Sequence, residues 1–352
     1  MNERAVIGCL LGTAVGDALG LPYEGLSPTR AKRLFRERSR YYFLGSIGMV
    51  SDDTELMCMT AQAIMVAGGN PGLFSKNLAR RLRWWLLGLP VGVGWATLKA
   101  AIKMIIGFGP ETSGIYSAGN APAARSAIIG VCYGGDERRF TDFVKRATGI
   151  THKDPKAEYG ALTVALAAHY SAQQKTVDGH LFMARLRGYL VDAGADEFIE
   201  LIGQAVDSAR MGEATTAFAA SQGLGSGVSG YVYHTVPVAI QAWLRHPGDF
   251  GNALMAVIRC GGDTDTTGAI VGAIVGAGVG RQGIPIQWLD RLKEWPRTTA
   301  WIEDLANKLY RAVSGAYTGV PPRLPVWAVI IRNILFAGIV LFHGFRRLLP
   351  PY

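Results

Sequence analysis

Cysteine is scarce in this chain: four residues in 352, at Cys9, Cys58, Cys132 and Cys260, with no CxxC pair. That excludes a disulfide framework and the common zinc ribbons, and it fits buried thiols in a reducing compartment. Histidine is nearly as rare, with six, so a site of imidazole ligands has little to draw on. Charged residues make up only 18%, and 27 acids against 36 bases leave a formal charge of +9. Alternation with period two is scarce, which argues against a sheet. Apolar residues recur instead at helical spacing, as in Ala161 to His169, Phe198 to Ala205 and Ala253 to Ile258. No linker interrupts the chain before about residue 318, and 49% hydrophobic content is enough for one large core. A single body over 1–318 with a short tail over 319–352 is the expectation.

Glycine, by contrast, is abundant, with 45 residues. Gly8, Gly12, Gly16 and Gly20 repeat every fourth position near the start, and Gly268, Gly272, Gly276 and Gly280 do so again later. Each glycine in a soluble helix costs about 1 kcal/mol against alanine. Two such stripes therefore imply close backbone contact. Acids gather at one end of each: Asp17 and Glu24 end the first, and Asp263 and Asp265 precede the second within Cys260-Gly261-Gly262-Asp263-Thr264-Asp265-Thr266-Thr267. Membrane packing of the small-xxx-small kind would use the same spacing. A bilayer tolerates acids within a turn of each stripe poorly, so a cation-binding scaffold is preferred. Arg4 followed by Ala5 to Val15 faintly resembles an export signal, but cleavage there would destroy the first stripe.

A third acidic segment, Ser51-Asp52-Asp53-Thr54, stands just before Glu55. Asp52 with Glu55 fits a helix capping box, and Asp263 and Asp265 could cap in the same way. If the segments converge, however, four aspartates and two or three hydroxyls share one place. Confined carboxylates cannot all stay ionised unless cations neutralise them. Oxygen-only ligands select hard divalent ions, Mg²⁺ or Mn²⁺ before Ca²⁺, and this many carboxylates suits two ions.

Gly16-Asp17-Ala18-Leu19-Gly20-Leu21-Pro22-Tyr23-Glu24, Ser51-Asp52-Asp53-Thr54 and Gly261-Gly262-Asp263-Thr264-Asp265-Thr266-Thr267 stand in an order and spacing that resembles the ADP-ribosylglycohydrolase family. Two shorter segments, Ala147 to His152 and Ser229-Gly230-Tyr231-Val232 with Thr235 and Ala239, are similar too. The resemblance implies an all-α, orthogonal helical bundle, here with a hydrophobic C-terminal helix appended, whose cleft holds two divalent cations, Mg²⁺ or Mn²⁺. It implies Ser51, Asp52, Asp53, Asp263, Asp265 and Thr266 as metal ligands, and Glu24 as the catalytic acid–base or water-positioning residue. Gly119, Asn120, His152, Ser229, Gly230 and Tyr231 would bind substrate. The implied reaction is hydrolysis of the glycosidic bond between ADP-ribose and a modified protein side chain, arginine favoured. One segment departs from the family: Gly119-Asn120-Ala121-Pro122-Ala123-Ala124-Arg125 stands where Gly-Asn-Gly-Ala-Ala-Met-Arg is usual. Proline removes an amide donor, so an altered substrate fit is expected. Gly223 to Gly230, rich in glycine, could cradle phosphates, or be an ordinary surface loop.

Two basic runs, Arg30 to Arg40 and Arg80 to Arg83, lack a nucleic-acid motif and read as solvated helix faces. Past Gly319 to Pro325 the chain is apolar from Val326 to Phe345, broken by Arg332 and Asn333. Twenty helical residues reach about 30 Å, yet a mid-span arginine costs about 2.5–3.5 kcal/mol. Arg332, His343, Arg346 and Arg347 share one side of a helical wheel. That favours a helix on a membrane surface or docked on another protein through residues 324–349, over a clean span; folding back onto the body is the alternative. The expected location is the cytoplasm, at the inner face of the membrane. Three function classes follow: a metal-dependent ADP-ribosyl hydrolase acting on modified protein, a non-catalytic ADP-ribose binder or immunity-type partner of an ADP-ribosylating toxin, and a membrane protein packed through its glycines.

Overall fold

In the computed structural model, residues 1–35, 39–43, 46–173, 177–191, 193–316 and 320–346 are described. Arg36 and Arg38 of the first basic run, the expected boundary at 318–319 and the tail beyond Arg346 lie outside them. The described residues form eighteen α-helices and isolated β-bridges but no strand. Seven helices position the site or its support, labelled here in chain order: α1 (Glu3–Gly20), α2 (Asp52–Ala67), α3 (Pro71–Leu87), α4 (Pro155–Gln173), α5 (Val232–Arg245), α6 (Thr264–Gly283) and α7 (Val326–Arg346).

The glycine stripes explain the centre of the molecule. α1 and α6 run antiparallel with their backbones in contact. A methyl group added at Gly8, Gly12, Gly16 or Gly20 would overlap the carbonyl oxygen of Gly276, Gly272, Gly268 or Thr264 in turn. Only hydrogen fits there. Arg4 donates to the carbonyls of Gly278 and Val279 at 3.2 and 2.8 Å and holds the far end, where Gly280 turns with φ +67°. α1 is long and apolar enough to cross a membrane, yet 94% of its apolar window is buried in the body. The stripes thus pack the interior of the body. α4, α5 and α2 close around this pair, and all four cysteines are free and buried.

Antiparallel pairing has one consequence for function. It places the C-terminal end of α1, carrying Asp17, beside the N-terminal end of α6, carrying Asp263 and Asp265. The Thr264 hydroxyl donates to Gly20 O at 2.8 Å and fixes this register.

The tail folds back onto the body. On α7 the buried side chains are Ala328, Arg332, Asn333, Phe336 and His343. Phe336 packs with Leu21, Phe43 and Met49, worth about 1.5–3 kcal/mol of burial. Asn333 donates to Gly88 O at 2.7 Å, and a His343 ring nitrogen lies 3.1 Å from Pro22 O. The side of the helix that carries Arg332 and His343 therefore faces the body, as in the fold-back alternative. The reason is a waiting acid: Arg332 pairs with Glu294 at 2.7 Å.

Candidate active site

Short backbone bridges stitch the site loops into one floor. Gly25 N–H donates to Gly262 O, and Gly262 N–H returns to Leu26 O, both at 2.8 Å. Asp263 N–H donates to Val228 O at 2.7 Å, and Asn120 N–H to Gly230 O at 3.0 Å. Ile115 N–H donates to Thr151 O at 2.9 Å. Glu24, Gly119, Asn120, His152, Ser229, Gly230, Tyr231 and Asp263 are brought together in this way. Gly261 and Gly262 hold φ of +69° and +80°, and a side chain on Gly262 would strike the Val228 backbone, so this crossing requires glycine.

The second acidic segment arrives on α2. Ser51 is its N-cap, with its hydroxyl accepting from Asp53 N–H at 3.2 Å. Asp17 completes the cap: its carboxylate accepts from Ser51 N–H at 2.9 and 3.0 Å, Thr54 N–H at 3.1 Å and the Thr54 hydroxyl at 2.5 Å. Glu55 does not close the capping box expected with Asp52. Two buried arginines and Trp85 hold it on the other side of the helix, with Arg297 and the Trp85 indole at 2.8 and 2.5 Å.

Four carboxylates bear the mark of this crowding. Asp17 is pushed up to about 6 by burial, against the hydrogen bonds from Thr54 and Ser51. Asp52 is raised well above its ordinary value by burial and by Asp53, Asp17, Glu55 and Glu24. Burial, Asp17 and Asp263 raise Asp53, while a hydrogen bond from Thr266 works the other way. Asp265 is raised by burial, then Glu24, Asp263, Asp53 and Asp17. Asp52 and Asp265, 213 residues apart in sequence, each feel Asp53 and Glu24. The acids converge.

The donor set suits a hard cation. Asp265 Oδ1 is buried without a hydrogen-bond partner, Asp53 and Asp265 are 4% and 5% exposed, and Ser51 and Thr266 add hydroxyl oxygens with no sulfur or imidazole. Among the described residues no three acidic, histidine or cysteine side chains are gathered closely enough to enclose an ion alone. Asp263 Oδ2 accepts from the Asn120 amide at 2.7 Å, and that amide also donates to the Thr235 hydroxyl at 2.9 Å.

His152 is buried, and burial followed by the nearby Arg125 lowers it to about 3, so it is neutral. Its Nδ1 meets the Thr151 hydroxyl at 2.8 Å. That oxygen also accepts from Arg125 Nη2 at 2.5 Å, and the other ring nitrogen, Nε2, lies over Gly119. Ser229 and Tyr231 sit on the rim: the serine hydroxyl is 2.8 Å from His234 Nδ1, and the tyrosine hydroxyl accepts from Lys156 at 2.9 Å. Pro122 lies in the first turn of the Ala121–Ala124 helix, where its missing N–H would have no intrahelical partner.

Asp17 and Arg125 belong to this site but not to the sequence-derived set. Arg125 is fully buried, with Asp53 and Asp52 close enough to favour its charge; burial lowers it to about 10. Asp17 stood in plain view after Gly16, but only the fold shows it capping α2. A cavity of about 1050 Å³ lies behind α2, lined by Glu55, Arg81, Arg297 and Trp301 among others, and contains none of the expected site residues.

The family model described as ADP-ribosylglycohydrolase matches residues 2–319. The chain belongs to that family. An uncharacterised protein of Archaeoglobus fulgidus is 30% identical, covering 88% of this chain and 96% of its own. The ADP-ribosyl-[dinitrogen reductase] glycohydrolase of Rhodospirillum rubrum is 26% identical over 83% of this chain and 91% of its own. The ADP-ribosylarginine hydrolase Tri1 of Serratia proteamaculans is 26% identical, over 86% and 78%. A solved ADP-ribosylglycohydrolase-related protein superposes with a TM-score of 0.63 at 25% identity, covering 88% of this chain and 98% of that one. As an ADP-ribosylglycohydrolase, the protein is a glycosidase acting on ADP-ribosylated substrates, and its all-helical architecture is that of the family.

Proposed function

We propose that this ADP-ribosylglycohydrolase uses divalent cations to release ADP-ribose from a modified arginine side chain of a protein. The observation that carries the reading is the convergence of Asp52 and Asp53 at the start of α2 with Asp263 and Asp265 at the start of α6, beside Glu24. Arginine as the acceptor rests on likeness to the ADP-ribosylarginine hydrolase Tri1.

Ser51, Asp52, Asp53, Asp263, Asp265 and Thr266 would hold two cations, Mg²⁺ or Mn²⁺, which supply charge neutralisation, a grip on the ribose hydroxyls and an acidified water. The protein's own residues do the rest. Asn120 orients the Asp263 carboxylate through its amide. His152, neutral and with Nε2 over Gly119, would hydrogen-bond a substrate hydroxyl or phosphate oxygen there. Glu24, exposed after the 3₁₀ turn Leu21–Tyr23 that follows α1, would hold or deliver the proton that the leaving guanidine needs. Fixing the ribose against these groups can remove on the order of 7–11 kcal/mol of the barrier in the best cases.

The test is release of ADP-ribose from an arginine-ADP-ribosylated protein with Mg²⁺ or Mn²⁺ present, repeated in excess chelator. Release that stops on chelation is expected. No release with either ion, while ADP-ribose still binds, would favour the non-catalytic reading. Release from serine-linked substrate alone would overturn the choice of arginine.

A further inference from the structure

α7 is amphipathic in reverse. Its inner face is polar and satisfied: Arg332 meets Glu294 at 2.7 Å and Val50 O at 2.6 Å, Asn333 meets Gly88 O, and His343 lies against Pro22 O. Its outer face is apolar. Trp327, Ile331, Leu335, Leu341, Phe342 and Phe345 are 46–71% exposed and fall on one stripe of the helix. The patch reaches beyond the helix, since Trp295, itself 45% exposed, lies 5.9 Å from the Trp327 ring. Trp84, 70% exposed, shares a cavity wall with Val326 and Val329. Isolated exposed apolar residues need no explanation, but a continuous stripe does.

Charge selects the occupant. From Leu305 to Tyr352 the sequence contains no acid, while Arg323, Arg346 and Arg347 add positive charge beyond Arg332, which Glu294 already neutralises. A second copy would bring like charge against like charge across a symmetric contact. Anionic lipid headgroups would neutralise it. The family match ends at residue 319, so the device is an addition to the shared body. A transmembrane passage is excluded by the inner face, whose three polar side chains are already bonded to that body.

We propose that α7 seats the enzyme on an anionic bilayer, its outer stripe buried among the headgroups and its inner stripe clamped to the body. This reading is independent of the acceptor and cation assignments. Vesicle co-sedimentation tests it, using the full-length protein with phosphatidylcholine alone and with equal parts phosphatidylcholine and phosphatidylglycerol. The protein should pellet with the mixed vesicles and stay largely in solution with the neutral ones. The double variant Leu335→Asp/Phe342→Asp, at exposed positions, should bind roughly tenfold or more weakly with an unchanged thermal midpoint and ADP-ribose release. Wild-type protein that stays in solution with both vesicles overturns the proposal. So does undiminished binding by the variant, and so does a dimer in sedimentation velocity that the variant abolishes while vesicles leave it intact.

Discussion

Asp263 sits half-buried at the start of α6, takes a hydrogen bond from Asn120 and stands within the field of Asp53 and Asp265. The Asp263 side chain makes no capping hydrogen bond to α6, and an asparagine oxygen can still accept from Asn120, so Asp263→Asn should leave the thermal midpoint nearly unchanged. If Asp263 helps hold the proposed cations, losing its charge should nonetheless lower turnover about 100-fold or more. ADP-ribose release at saturating Mg²⁺ decides this, and unchanged turnover would remove the cation site. The acids of this cluster were legible because aspartates, threonines and glycines in short succession are costly without a purpose. Asp17 and Arg125 were not. A carboxylate that caps a helix 34 residues away, and an arginine buried behind a loop, have no local pattern; only packing gives them partners. The glutamate at Glu55 was misread for the same reason, since a capping box is a local rule and Arg297 and Arg332 are remote in sequence.

Helices, in turn, were read from spacing, and here the glycine stripes carried the most information. Contact between α1 and α6 is backbone on backbone, so Gly12→Ala has nowhere to put its methyl except into Gly272 O. Overpacking of this kind costs about 1–3 kcal/mol, and a lower denaturant midpoint with unchanged slope should report it. A control at Gly203, where an added Cβ meets open space, should be neutral or stabilising. The tail shows where spacing stops being informative. Its wheel sorted polar from apolar faces correctly, but which face meets the body depends on Glu294, 38 residues before Arg332. Arg332→Met would strand that buried acid and should cost about 3–5 kcal/mol. Adding Glu294→Gln, which keeps an acceptor for Val50 N–H, should recover part of the loss; no recovery in the double variant would mean that the pair is not what holds the helix.

Across the whole molecule, the acidic centre should make stability depend on pH and, under the proposed cation site, on cations together. Asp17, Asp52, Asp53 and Asp265 are all raised in the folded state. A carboxyl that holds its proton more tightly when folded contributes stability fully present below its unfolded value and lost as pH rises through its folded one. For Asp17 that window runs from 3.8 to about 6, a loss on the order of 3 kcal/mol, and the other three extend it upward. In chelator the thermal midpoint should therefore fall as pH rises from mildly acidic to neutral. Mg²⁺ or Mn²⁺ should reverse the fall at neutral pH, because ions binding only the folded form stabilise it by mass action. They should do little at acidic pH, where protons already occupy the carboxylates and compete with the ions. Melting curves across this range, with and without cation, test both halves at once. A midpoint that climbs towards neutrality in chelator, or a cation effect equal at both ends, would mean that these carboxylates do not share one site.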